Sequence, residues 1–104
     1  MKEEKLKKLI NKKSHENREP HVWEITSSAP VQIEGLRIFQ STHDPEMDPM
    51  PVNYWILSNG KLYSADELEK ALEKKKIIPR DDKEANNFKK IIEYVASKED
   101  QVLL

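Results

Sequence analysis

The stretch whose reading decides the fold is Val52–Leu72, VNYWILSNGKLYSADELEKAL. Asn59-Gly60 separates two apolar runs, and both residues tolerate the positive φ that a two-residue turn matched to strand twist requires. With that pair as the turn, Leu57 faces Leu62 and Ile56 faces Tyr63. Alternation then puts Trp55, Leu57 and Leu62 on one face, and Val52, Tyr54, Ile56 and Tyr63 on the other. Apolar side chains on both faces mark an interior strand. Ser64-Ala65-Asp66-Glu67 follows at once. It has the form of a capping box, with Ser64 accepting from the Glu67 amide and Glu67 from the Ser64 amide, and Tyr63 and Leu68 are spaced as a hydrophobic staple. A helix is expected from Ala65 to Lys76.

Downstream, Ala65, Leu68, Ala71 and Leu72 share one helical face. Asp66 and Glu67 at its start and Lys74, Lys75 and Lys76 at its end suit the helix dipole. Ile77-Ile78-Pro79 closes the helix. Asp81 and Glu84 give a second capping signal, and Ala85, Phe88, Ile91, Ile92 and Val95 recur at the spacing of an amphipathic helix over 82–97. Val102 and Leu103 are roughly in phase with Val95. The helix therefore runs on to the end, or Val102–Leu104 is an apolar tail that needs a place to bury.

Upstream, His21, Trp23 and Ile25 alternate with Val22, Glu24 and Thr26, which predicts a half-buried strand over 21–27. Val31-Gln32-Ile33 and Leu36-Arg37-Ile38 alternate in opposite phase across Gly35. That shift predicts a bulge at Gly35 inside one long strand over 31–40, with a tight Glu34-Gly35 turn as the alternative. Trp23 and Trp55, the largest apolar side chains, are expected in the core. Ser14–Pro20, SHENREP, reads as a linker. Before it, Leu6, Leu9 and Ile10 make a narrow stripe on a lysine-rich helix, enough to dock a short helix but not to stabilise one alone.

The fold class is therefore α+β: a small antiparallel sheet of three to four strands, two C-terminal helices packed on one face, and a short N-terminal helix. Residues 1–19 form a charged helical arm and linker, and residues 20–104 a single domain. A chain of 104 residues has room for one modest core. It is 36% charged, yet its net charge is only −1. Residues 1–19 hold seven basic and four acidic side chains (+3), residues 20–60 one and five (−4), and residues 61–104 ten of each. The chain has no Cys, which excludes disulfides, thiolate metal sites and a Cys nucleophile. No apolar run approaches membrane-spanning length and no signal-peptide core opens the chain, so a cytoplasmic protein with no membrane association is expected.

Chemistry-bearing patterns are missing. With Gly35 and Gly60 the only glycines, a glycine-rich phosphate loop is excluded. No Ser lies in a nucleophile elbow, and His15, His21 and His43 have no metal-ligand spacing. In Thr42–Pro51, THDPEMDPMP, the Asp44-x-Glu46-x-Asp48 spacing imitates the start of a calcium loop. However, Pro49 stands where that loop needs Gly, and Trp55 where it needs a bidentate Glu. No enzyme, cofactor or metal is expected. Three prolines stiffen this segment and its Met residues adapt to irregular surfaces, so it is read as a contact for another protein. The residues expected at that contact are Arg37, His43, Asp44, Glu46, Met47, Asp48, Met50 and Tyr54. The alternative is a nucleic-acid accessory protein using the basic arm, through Lys5, Lys8, Lys12 and Lys13.

Tyr54-Trp55, Asn59-Gly60, Tyr63 and the helix after them resemble the strand–turn–helix start of small bacterial GYF-like domains, which implies a peptide-binding module. The likeness stops at Ser64-Ala65, where those domains carry a Gly-Pro pair.

Overall fold

The computed structural model describes residues 2–102. In chain order it contains α1 (Glu3–Ser14), β1 (His21–Glu24), a 3-10 turn (Thr26–Ser28), β2 (Leu36–Thr42), β3 (Asn53–Ser58), β4 (Lys61–Tyr63), α2 (Ala65–Glu73) and α3 (Asp82–Val102). The strands form one antiparallel meander in the order β1-β2-β3-β4. α3 reaches Val102; Leu103 and Leu104, on which the choice between a helix to the end and an apolar tail over Val102–Leu104 rests, lie outside the described residues.

The central hairpin has the expected register, with Leu57 opposite Leu62 and Ile56 opposite Tyr63. Asn59 and Gly60 adopt φ +50° and +81°, the pair of positive values that a type I′ turn needs. Ser64 caps α2: its hydroxyl accepts from the Glu67 amide at 3.2 Å, and its own amide donates to Glu67 at 2.9 Å.

Strand alternation divides the core in two. On one face Leu36, Ile38, Tyr54 and Ile56 pack with Leu68 of α2 and with Phe88, Ile91 and Val95 of α3. On the other face Phe39, Trp55, Leu57 and Leu62 are covered by Leu6 and Ile10 of α1. The stripe that is too narrow to hold a helix in water is sufficient once the sheet offers it an apolar surface. The indole of Trp55 is buried in this layer and donates to the Ser41 hydroxyl at 2.8 Å, which meets the polar requirement of a buried Trp. Trp23, expected in the core, is only half-buried on the edge strand, where its indole donates to Gln40.

Both early strands are shorter than their alternation predicts. β1 stops at Glu24 because the Thr26 hydroxyl accepts the Ile38 amide at 2.9 Å and so ends the ladder with a side chain. The expected strand over 31–40 begins only at Leu36. No bulge forms at Gly35. The alternative, a tight Glu34-Gly35 turn, is present, although no strand precedes it: the Leu36 amide bonds to the Ile33 carbonyl at 3.1 Å, with Gly35 at φ +80°, a β-turn whose third position requires positive φ. Val31 and Ile33 still pack against the core from this turn, so their apolar spacing reflects burial rather than a strand.

Candidate functional site

The segment singled out by sequence joins β2 to β3 at the end of the sheet farthest from the Asn59-Gly60 turn. Its base is tethered. The Asp44 amide bonds to the Thr42 hydroxyl at 3.1 Å, and the Met47 amide to the Asp44 carbonyl at 3.2 Å. His43 Nε2 lies 2.7 Å from Asn11 Oδ1 on α1. The Arg18 guanidinium donates to Asp44 at 3.0 Å, and this contact, with Glu16 beside it, pushes the guanidinium pKa up. Asn11 also donates to the Arg18 carbonyl at 2.9 Å, which closes the tie between α1, the linker and the loop. An open cleft of about 370 Å³ lies between the end of α1 and this base, with His43, Arg18 and Trp55 on its walls.

Beyond the base the loop is exposed. Met47 is 58% and Met50 36% exposed, and Glu46 and Asp48 face solvent beside them. Ile78, 76% exposed, is the other large apolar side chain in solvent among the described residues, and it stands alone beyond α2, whereas Met47 and Met50 lie three positions apart on one loop.

The eight residues expected to form one contact surface do not converge. Tyr54 is buried against the α2–α3 layer, 7% exposed. Arg37 points to the α1 face and lies roughly 16 Å down β2 from Thr42 at about 3.3 Å per residue. It is already engaged: Nη2 and Nε donate to Glu24 at 2.6 and 3.1 Å, and the guanidinium lies 5.0 Å from the centre of the Phe39 ring. Arg37 holds the Glu24 carboxyl below its ordinary range. His43 and Asp44 serve the base of the loop. What remains of the expected surface is Glu46, Met47, Asp48 and Met50.

The lysines of the alternative reading also divide. Lys5, Lys8 and Lys12 are exposed along α1. Lys13 instead bridges to α2, its ammonium 2.8 and 3.0 Å from the Glu67 carboxylate oxygens. Burial pushes the Glu67 carboxyl up, but Lys13 and the Ser64 amide and hydroxyl outweigh it and hold it below its ordinary value. Glu67 thus caps α2 and fixes α1 at once. Among the described residues no three His, Asp or Glu side chains converge as metal ligands.

Asn11 and Arg18 are the residues that sequence reasoning missed. They contact His43 and Asp44 across 32 and 26 positions, and no local pattern marks such a pairing. Comparison with family models, with curated proteins and with solved structures gave no match.

Proposed function

We propose that this protein is a small non-enzymatic interaction module, an adaptor, inhibitor or immunity-type accessory protein that binds another protein through the loop between β2 and β3. The observation that carries this reading is the pair Met47 and Met50, exposed together on a loop whose base is tied to α1. Flexible thioethers adapt to an apolar pocket, while a proline-stiffened, tethered loop loses little freedom on binding. Glu46 and Asp48 beside them favour a partner with a basic rim around that pocket. The test is a photo-crosslinking side chain at Met47, with the same group at Ile78, also exposed, as control. The expected result is one host protein crosslinked from Met47, not from Ile78, and lost in the Met50→Asp variant. Identical crosslinks from both positions would refute the proposal.

A second reading rests on Lys5, Lys8 and Lys12, which lie at i, i+3 and i+7 on α1 and form no ion pair among the described residues. As a nucleic-acid binder the protein would show a steep loss of affinity for generic DNA or RNA as salt rises. No binding at low salt removes this reading.

A further inference from the structure

The sheet leaves one edge of β4 without a neighbouring strand. In a two-residue hairpin the residues flanking the turn, here Ser58 and Lys61, exchange both backbone hydrogen bonds, and the next such pair is Ile56 and Tyr63. The N–H and C=O of Leu62 between them therefore point outward. No backbone group among the described residues outside the ladder takes them up. They face a groove of about 510 Å³ between α1 and α2, floored by Leu9, Leu62 and Ala71.

The rim of this groove is mainly basic. Lys61, Lys70, Lys74 and Lys76 line it, all four exposed, and its one carboxylate, Glu67, is already paired with Lys13 between α1 and α2. None of the four lysines enters an ion pair among the described residues. Lys76 reaches the rim through the turn that ends α2. The Lys75 and Lys76 amides bond to the Leu72 and Ala71 carbonyls at 3.1 and 2.8 Å, with Lys75 at φ +59°, a Schellman arrangement with Lys in the position Gly usually takes. The other sheet edge differs. β1 is flanked by Glu3 and Glu19, with Lys7 already paired to both.

We infer that this groove binds an extended acidic peptide, which adds to β4 as a fifth strand. Its backbone pairs with Leu62, its apolar side chains fill the floor, and its carboxylates meet the four lysines. This site is separate from the Met47–Met50 surface and does not depend on it. A nucleic-acid strand fits less well, because it offers no strand-like N–H and C=O to Leu62. The one aromatic side chain on the groove, Tyr63, is also half-buried and gives no stacking platform.

The test titrates the isotope-labelled full chain with a short peptide alternating Glu and Val, followed by nuclear magnetic resonance. Shifts are expected at Lys61–Tyr63 and Lys70–Lys76, with hydrogen exchange of the Leu62 amide slowed about tenfold. The Lys70→Glu/Lys74→Glu variant should bind about tenfold more weakly, as should the native chain at high salt. A peptide with its central amide N-methylated should fail to bind the unaltered protein, a result independent of how well the variant folds. The inference is overturned if the peptide does not bind at low salt, or binds without slowing Leu62. It is equally overturned if a single-stranded oligonucleotide shifts the same resonances at lower concentration, which would make this a general anion groove.

Discussion

Replacing Ile10 with Ala tests whether α1 belongs to the folded core. Ile10 is completely buried, among Leu6, Phe39, Trp55, Leu57 and Leu62. The substitution removes three side-chain carbons, worth about 2.4 kcal/mol of transfer free energy at about 0.8 per carbon. The neighbours belong to α1 and to three strands fixed by their ladders, so they cannot collapse fully into the gap. A residual cavity raises the cost to about 3 kcal/mol. Ala is the better helix former and returns roughly 0.5 kcal/mol, which leaves a net loss of about 2.5 kcal/mol. For 104 residues, an unfolding entropy of about 2.1 cal/mol/K per residue converts 1 kcal/mol to about 4.6 °C. The midpoint of thermal unfolding by circular dichroism should therefore fall by about 12 °C. Tryptophan emission should shift to the red over the same transition as Trp55 loses the cover of α1. Ile78→Ala, at a side chain 76% exposed, should stay within about 2 °C of the native protein. If Ile10→Ala also stays within about 2 °C, α1 is not docked in solution and the second core layer described above is wrong.

Three further perturbations probe the frame. Lys75→Gly removes a non-glycine residue from φ +59° and should raise stability by about 0.5–1 kcal/mol in urea unfolding; a loss would mean the Lys75 side chain is held by a compensating contact. Gly35→Ala combines φ +80° with a Cβ only 2.9 Å from Asn59 Oδ1 and should cost about 1–2 kcal/mol. Adding Asn59→Gly should relieve the contact but not the φ strain. Lys13→Met removes a partner that lowers the Glu67 pKa from its ordinary 4.5. A carboxyl with a lowered folded-state pKa contributes fully above its unfolded value and loses that contribution as pH falls through the folded one. The half-exposed pair is screened by solvent, so the variant should lose about 0.5 kcal/mol at pH 7. The difference should vanish in acid once Glu67 is protonated; an equal loss in acid would show that Lys13 acts through packing instead.

The surroundings of the loop between β2 and β3 were the least legible part. Thr42–Pro51 was recognisable as irregular from Pro45, Pro49 and Pro51, and its Met residues are indeed exposed. Its grouping with Arg37 and Tyr54 failed, because proximity in the chain says nothing about which face or which end of a strand a side chain occupies. Lys74, Lys75 and Lys76 read from the sequence as dipole partners at the end of α2. The clustering of Lys70, Lys74 and Lys76 with Lys61 depends on how α2 folds back over β4 and on the left-handed turn at Lys75, and neither has a sequence signature.

The sequence alone determined what is governed by neighbours a few residues apart. The Asn59-Gly60 hairpin and its register, the Ser64–Glu67 cap, and the apolar faces of α2 and α3 all follow from short-range sterics and from the two periodicities of backbone structure. Tertiary structure decided what depends on contacts distant in the chain. It set the docking of Leu6 and Ile10 on the second sheet face, the end of β1 at the Thr26 hydroxyl, and the choice of the Glu34-Gly35 turn over a bulge. It also tied His43 and Asp44 to Asn11 and Arg18. An isolated stripe, hydroxyl or carboxylate is satisfied by water until the rest of the chain supplies a surface or a partner, and only the folded sheet brings those within reach.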